Sequence, residues 1–248
     1  MHHKRMKRLF LPFLLLLVLC AGALYAGQYY HADSTAAAAL SSDSSVTVSE
    51  TDYGWHFDGP CDDTALIFYP GAKVEETAYA PLLRLLAAGG IDVCLVRMPL
   101  RLAILGMNRA DAALRAHSYS RWIIGGHSLG GACASHYAAK SSGRLDGLIL
   151  LAAYPMSRRP DDLDTLLLYG TEDGVLNRQA YDKKRSLAPA GAKEAVIEGG
   201  NHAQFGAYGS QKGDGAARIP ARQQQEETVR IILQHVLQDG AAPSAPAP

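Results

Sequence analysis

The residues of this chain that are best suited to do chemistry lie at 126–130, where the sequence is Gly-His-Ser-Leu-Gly. An apolar, β-branched run (122–124) precedes this segment, and a run of small residues (132–139) that can form a helix follows it. Glycines two positions before and after a serine let a strand and a helix approach closely, which leaves the serine exposed on a strained turn. We therefore predict that Ser128 is a nucleophile and that the backbone N–H of Leu129, at the helix N-terminus, is one donor to an oxyanion.

A serine nucleophile needs a base, and the base needs an acid that orients it. One of the later apolar runs is followed by an acidic residue, and another is followed by a histidine. Asp173 comes after the run 165–170, and His202 lies in a glycine-rich loop after the run 194–197. The carboxyl ends of parallel strands meet at one edge of a sheet, and catalytic groups collect there. The sequence therefore predicts a triad in which His202 is the base and Asp173 is the acid.

Other interpretations of these residues stay open. Glu172 is a rival for the role of Asp173, and both acids could instead cap the helix that follows them. The segment 126–130 could be a glycine-rich turn that closes a parallel strand and has no catalytic role. His127 is next to the predicted nucleophile, but the turn directs it away from the substrate, so we expect it to pack beneath the turn.

The second oxyanion donor is expected in the loop that follows the apolar run 64–69. A glycine in this loop lets the chain come close to the substrate, and a backbone N–H of Ala72 or Lys73 would then lie beside that of Leu129. We favour Ala72, with a shift of one residue left open, and the Lys73 side chain is either solvated or a contact for an anionic substrate. Four residues are candidates for lining a substrate pocket, although each could simply pack in a loop: Met98, Tyr154, Phe205 and Tyr208.

Strands and helices alternate along residues 46–238, between a flexible linker (27–45) and a disordered tail (239–248) that are rich in small residues. Apolar runs predict strands at 46–48, 54–57, 64–69, 91–96, 121–124, 148–152, 165–170 and 194–197. Helical spacing predicts helices at 77–88, 101–116, 129–140, 178–187 and 222–238. This alternation indicates an α/β domain, a mostly parallel sheet with helices on both faces. The connection between residues 154 and 165 is too short for a large cap domain, so we expect an open site.

The N-terminal end has the pattern of a membrane segment. Residues 1–8 carry four Lys or Arg residues, whereas residues 9–26 carry no charge. As a helix, 9–26 would be ~27 Å long, close to the thickness of a bilayer core. The basic flank predicts that 1–8 stay in the cytoplasm and that the chain beyond Gly27 is exported and anchored in the cell membrane. The alternative is a cleaved signal peptide and a secreted protein, because the segment 21–23 is Ala-Gly-Ala.

Composition narrows the possible ligands and partners. The chain has 24 basic and 24 acidic residues and no basic patch interleaved with aromatic residues, so a nucleic-acid partner is not expected. Four cysteines without a Cys-x-x-Cys pair indicate neither a disulfide scaffold nor a zinc motif, although a disulfide from Cys61 is left open. We expect no metal and no organic cofactor, and the sequence gives no indication of the oligomeric state.

Five segments of the chain together match a known family: 70–74 (Pro-Gly-Ala-Lys-Val), 79–82 (Tyr-Ala-Pro-Leu), 96–100 (Val-Arg-Met-Pro-Leu), 126–130 and 199–206 (Gly-Gly-Asn-His-Ala-Gln-Phe-Gly). In these segments the chain resembles the bacterial alpha/beta hydrolase fold-5 family, and the resemblance covers roughly residues 46–238. The chain is also similar in outline to the dienelactone hydrolases, which use a cysteine where this chain has Ser128. The resemblance implies an α/β-hydrolase fold and a serine hydrolase triad, but the family is not defined by one substrate.

The sequence thus predicts an exported, membrane-anchored serine hydrolase. Its substrate would be a carboxylic ester or thioester with a small or moderately sized acyl group, because no cap builds a deep pocket. The reaction would pass through an acyl-enzyme. An acyltransferase and an amidase are alternatives that use the same triad. A non-catalytic binding module of the same fold is an alternative from a different class, and labelling with a fluorophosphonate would separate it from an enzyme.

Overall fold

The structure is a computed structural model of the 248-residue chain, and it describes residues 13–14, 16–17, 22 and 27–239 except 62, 142 and 159–162. The predicted cytoplasmic segment 1–8 and most of the predicted membrane segment 9–26 lie outside the described residues. The predicted tail also lies outside them, apart from its first residue, which ends the last helix. Among the described residues, no helix is both long enough and apolar enough to cross a bilayer.

Eight strands form one mixed, mostly parallel sheet. They are β1 (Thr47–Thr51), β2 (Gly54–Asp58), β3 (Thr64–Tyr69), β4 (Asp92–Val96), β5 (Arg121–His127), β6 (Gly147–Leu151), β7 (Asp164–Gly170) and β8 (Lys193–Ile197). Their order across the sheet is β1-β2-β4-β3-β5-β6-β7-β8. Strand β2 is antiparallel to both β1 and β4, and every other neighbouring pair is parallel. The central strands are buried along their length, as expected for strands covered on both faces.

Helices cover both faces of this sheet. They are α1 (Ser34–Ala39), α2 (Ala80–Ala88), α3 (Ala110–Ala116), α4 (Leu129–Lys140), α5 (Arg178–Lys184) and α6 (Ala221–Asp239). Short 3₁₀ turns lie at Glu76–Tyr79, Pro99–Arg101, Ala103–Leu105, Arg185–Leu187 and Ala203–Phe205. Helices α2 and α6 share one hydrophobic core with one face of the sheet. Helices α3, α4 and α5 share a second core with the opposite face. The predicted α/β fold without a large cap is confirmed.

The helix predicted at 101–116 is wrong over its first half. The structure has 3₁₀ turns there, and only α3 is a regular helix. Leu100 and Arg101 have φ values of 49° and 57°, which are uncommon for residues other than glycine and break a right-handed helix. The carbonyl oxygen of Arg101 accepts a hydrogen bond from the backbone N–H of Lys73 at 2.9 Å, so a contact distant in sequence stabilises this conformation.

The flexible linker predicted at 27–45 is also wrong, because most of this segment packs on the domain. Asp33 caps α1 with its carboxylate, which accepts hydrogen bonds from the backbone N–H groups of residues 35 and 36. Ala36 is fully buried, and Tyr30 forms a β-bridge with Val74. The alanine run favours a helix, and its small side chains permit close packing against α2. The folded domain therefore begins well before residue 46.

Candidate active site

The turn between β5 and α4 holds Ser128 in the strained conformation that the sequence predicts. Its backbone angles φ and ψ are 54° and −124°, a conformation that residues other than glycine rarely adopt. A Cβ atom on Gly126 would lie 2.5 Å from the carbonyl oxygen of Tyr69, and one on Gly130 would clash with the same oxygen. Both glycines are therefore needed for the close approach of β3, β5 and α4, which places Ser128 at the carboxyl edge of the sheet.

A buried pair of side chains, His202 and Asp173, lies at the same edge. His202 Nδ1 is 2.9 Å from Asp173 Oδ2 and 3.1 Å from Oδ1, and both side chains are 1% exposed. The Asp173 carboxylate also accepts hydrogen bonds from the backbone N–H groups of Val175 and Leu176 at 3.0 and 2.8 Å, which fix its orientation. Glu172 instead pairs with Arg218, away from His202. The structure therefore brings Asp173 rather than Glu172 to the imidazole.

A second carboxylate, Asp214, supports the two loops that carry this pair. It accepts hydrogen bonds from the backbone N–H groups of His202, Ala203, Gly174 and Gly215 at 2.8–3.2 Å. Sequence reasoning missed this residue, which lies far along the chain from the loop of Asp173. Its sequence signal is weak, an aspartate between two glycines in the loop after His202. Its four backbone contacts make it a positioning residue for the acid and base loops.

A small pocket brings His202 and the predicted nucleophile together. His202 and Ser128 both line a cavity of about 230 Å³. Among the described atoms, His202 Nε2 is buried and has no hydrogen-bond partner. Leu129 and Tyr154 form part of the cavity wall, and the remaining wall is made by Ala132, Ala152, Ala153, Val175, Leu176 and Asn177. The side chain that can accept a proton and the side chain that can give one therefore share one pocket.

The loop after β3 distinguishes between the two predicted oxyanion donors. The backbone N–H of Lys73 donates to the carbonyl oxygen of Arg101 at 2.9 Å, so it is already engaged. This leaves Ala72 as the candidate of the two. Leu129 is the first residue of α4, and the N–H groups of the first helical turn have no partner within the helix. Leu129 and Ala72 thus remain the predicted pair of donors.

A buried hydrogen-bonded link connects the elbow to this loop. The Tyr79 hydroxyl accepts a hydrogen bond from the backbone N–H of Gly71 at 3.0 Å and lies 2.8 Å from His127 Nδ1. Both side chains are almost completely buried, and His127 packs beneath the turn with its ring centroid 4.4 Å from that of His202. Burial, with a contribution from His202, holds the pKa of His127 well below its usual range, so this imidazole is neutral at pH 7. The link joins the residues that immediately precede Ala72 and Ser128.

Of the four predicted pocket residues, one lies in the pocket wall and three lie in the hydrophobic cores. Tyr154 lies in the wall of the pocket that Ser128 and His202 line. Met98, Phe205 and Tyr208 do not line it and are instead buried in the two hydrophobic cores, with Phe205 packed against the His127 ring. These three assignments are wrong because sequence spacing does not tell which way a loop side chain points. The residues that replace them in the pocket wall come from α4, from the end of β6 and from the loop before α5.

The sheet order, the strained serine and the buried Asp–His pair define an α/β-hydrolase. The sequence model of the alpha/beta hydrolase family matches residues 65–226, more than half of the chain, and the chain belongs to this family. No curated protein matches it in sequence.

Solved structures share this fold at low sequence identity. A CIB-like hydrolase from Thermoplasma acidophilum superposes with a TM-score of 0.56 at 16% identity, over 78% of this chain and 99% of the other. The carboxylesterase CesB (YbfK) from Bacillus subtilis gives 0.54 at 11% identity, over 82% and 95% of the two chains. A dienelactone hydrolase from Anabaena variabilis gives 0.56 at 11% identity, over 78% and 98%. At these identities the similarity establishes the fold, and a hydrolase is the function class that agrees with it.

Proposed function

We propose that this protein is a serine hydrolase that cleaves a carboxylic ester or thioester, with Ser128, His202 and Asp173 as its triad. The observation that supports this most directly is the arrangement of His202. Its Nδ1 is held by the buried Asp173 carboxylate at 2.9 Å, its Nε2 has no hydrogen-bond partner among the described atoms, and the residue lines the same pocket as Ser128. A general base that takes a proton from a serine needs one imidazole nitrogen held by the acid and the other free to accept that proton.

The proposed reaction has two halves. In the first, Ser128 Oγ attacks the carbonyl carbon, its proton passes to His202 Nε2, and the carbonyl oxygen becomes an oxyanion held by the N–H groups of Leu129 and Ala72. The tetrahedral intermediate then collapses, and the leaving alkoxide or thiolate takes the proton from Nε2. In the second half, water attacks the acyl-enzyme and gives a proton to His202; the bond to Ser128 Oγ then breaks, Oγ takes that proton back from Nε2, and the acid is released. Asp173 keeps the imidazole oriented and stabilises its charged form.

The pocket supports a small or moderately sized acyl group. Its volume of about 230 Å³ is below the usual range for drug-sized ligands, and three alanines form part of its wall. Aliphatic walls favour an apolar acyl chain over a charged one. The carboxylesterase among the structurally similar proteins agrees with an ester substrate, although it shares only the fold.

Export and membrane anchoring are a separate proposal that rests on the sequence of residues 1–26. The basic cluster followed by the uncharged run favours a retained signal anchor with the hydrolase domain outside the cytoplasm. Protease treatment of intact cells that express the full chain tests this. Digestion of the domain supports export, whereas protection in intact cells together with digestion after lysis contradicts it.

The hydrolase proposal is tested with p-nitrophenyl acetate, butyrate and octanoate and the full-length protein. Ser128→Ala and His202→Ala should each lower kcat by several powers of ten. Ser186→Ala, at an exposed serine outside the site, is the matched control and should retain full activity. Full activity in Ser128→Ala would refute the proposal. If none of the esters is cleaved, fluorophosphonate labelling decides: labelling that Ser128→Ala abolishes supports a narrow enzyme, and no labelling of the wild type refutes a reactive serine.

A further inference from the structure

A second group of reactive side chains lies across β2 and β4, which strand β3 separates from the strand that leads into Ser128. His56 on β2, Cys94 on β4 and His117 in the loop between α3 and β5 form what we call the three-donor cluster. Through Ile67 of β3, Cys94 is in register with Ile124 of β5, so the cluster lies roughly 13 Å from Ser128 along the strands and roughly 10 Å from β5 across them. The hydrolase site does not use these residues.

The sheet register and a ring contact bring the three donors together. His56 and Cys94 are directly paired across the antiparallel strands β2 and β4, which puts their side chains on the same face. The His117 ring stacks on the His56 ring with centroids 4.2 Å apart and 29° between the planes. One potential ligand atom from each of the three residues lies within 4.8 Å of the other two. Three donors from separate parts of the sequence thus face one small volume.

Two tyrosine hydroxyls hold the imidazoles in place. The Tyr119 hydroxyl donates to Asp92 Oδ2 at 2.7 Å, so its oxygen accepts from His56 Nε2 at 3.0 Å. In the same way, the Tyr53 hydroxyl points to Cys94 Sγ at 3.5 Å and lies 2.9 Å from His117 Nε2. Because each of these bonds engages Nε2, an ion that leaves them intact would be bound through Nδ1. Hydrogen bonds of this kind, with a carboxylate behind one of them, are typical of the outer shell of histidine metal ligands.

An ion has a path from solvent to the two histidines of the cluster. An opening of about 410 Å³, lined in part by the carboxylates of Asp58 and Asp92, connects the two histidines to the surface.

We propose that His56, Cys94 and His117 bind a divalent transition-metal ion of the zinc type, with water from the surface opening as the fourth ligand. A set of two imidazoles and one thiolate binds zinc in preference to magnesium or calcium. Tetrahedral coordination needs donors about 3.3–3.5 Å apart, so donors that lie within 4.8 Å of one another must approach by up to about 1.4 Å. His117 is the residue able to move, because it is half-buried and lies on a loop. The bound ion would clamp this loop to β2 and β4 and leave the hydrolase chemistry unchanged.

Cobalt(II) is the probe, because a bound thiolate gives it a charge-transfer absorption band in the near ultraviolet. Titration of the reduced, full-length protein should produce this band at one equivalent, and zinc should remove it by displacement. Cys94→Ser should abolish the band, which separates the cluster from the other thiols, and His117→Ala should abolish tight binding. Tyr119→Phe should weaken the affinity by about 10- to 100-fold through its effect on His56. Cys133→Ser, at a buried cysteine of α4 outside the cluster, is the matched control and should keep the band.

Thermal denaturation provides a second measurement that does not depend on the thiol. An ion that binds only the folded protein raises Tm as its concentration rises above Kd. Zinc should therefore raise Tm of the wild type and not of His117→Ala, whose half-buried position should allow it to fold. The proposal is overturned if the folded wild type gives no cobalt band, if the band survives in Cys94→Ser, or if zinc raises Tm equally in the wild type and in His117→Ala.

Discussion

Removal of the Tyr79 hydroxyl should impair catalysis without removing any group that touches substrate. In Tyr79→Phe, the Gly71 N–H and His127 Nδ1 both lose a buried partner that lies within 3.0 Å. A buried polar group left without a partner costs about 1–3 kcal/mol, so two such groups predict a loss of about 2–6 kcal/mol in the free energy of unfolding. For a chain of this size, each kcal/mol lowers Tm by about 2–4 °C.

The catalytic effect follows from what the hydroxyl connects. Gly71 precedes the proposed oxyanion donor Ala72, and His127 precedes Ser128. The distance between the Ala72 N–H and Ser128 should therefore be less well fixed in the variant. Loss of one oxyanion donor costs about 10²- to 10³-fold in kcat, and displacement of a donor should cost less. We expect kcat for p-nitrophenyl butyrate to fall about 10- to 100-fold with KM little changed, because the interaction is stronger in the transition state than in the ground state.

Tyr69→Phe is the matched control for this experiment. The Tyr69 hydroxyl is also buried and also has two partners, the carbonyl oxygen of Met107 and the backbone N–H of Ala110, at 2.8 and 2.9 Å. Its loss should lower Tm by a similar amount and leave kcat unchanged, because its partners are not part of the proposed site. The reasoning is refuted if Tyr79→Phe loses stability and keeps full kcat, or if both variants lose kcat in equal measure.

Three further predictions concern the triad and its support. Asp173→Asn should lower kcat by about 10⁴-fold, because an amide favours the wrong tautomer of His202, whereas Glu172→Gln should retain most of the activity in the same assay. Asp214→Asn leaves one acceptor oxygen for four backbone N–H groups, so Tm and kcat should both fall, and equal activity of variant and wild type would contradict its positioning role. Because the folded-state pKa of His127 lies below its unfolded value, the unfolded chain binds more protons below pH 6.5 and stability should fall there. Urea denaturation at pH 7.5 and pH 5 should show this loss, and a smaller loss in His127→Gln would assign it.

Much of the sheet could be predicted because its strands are local patterns. Strand β3 is a continuous apolar run that ends at a Pro-Gly pair. Helix α4 follows a turn whose glycines allow a strand and a helix to approach closely. Both were predicted with the bounds that the structure has. The serine, the acid and the histidine could be located for a related reason. Each follows directly from the end of a recognisable strand, so chain order alone brings them to one edge.

The errors occur where a distant contact decides the local conformation. The left-handed backbone at Leu100 and Arg101 is stabilised by the N–H of Lys73, and helix α1 is retained by packing on α2, neither of which a local pattern shows. The prediction of three pocket residues is wrong for a similar reason. Phe205 has the right type and position in sequence for a substrate contact, but its side chain points into the core against His127. Asp214 was missed because its partners come from two loops and its own turn.

The order of the strands explains why the two proposed sites should act independently. Strand β5 leads into Ser128, Cys94 is on β4, and the buried strand β3 lies between these two strands. Groups more than about 10 Å apart that share no partners usually give additive effects of substitution. An ion bound near His117 would therefore stabilise the fold without altering kcat, whereas loss of the Tyr79 hydroxyl would alter kcat without altering cobalt absorption. The antiparallel pairing of β2 with β4 makes this division possible, because it brings a histidine and a cysteine together on a part of the sheet that the hydrolase site does not use.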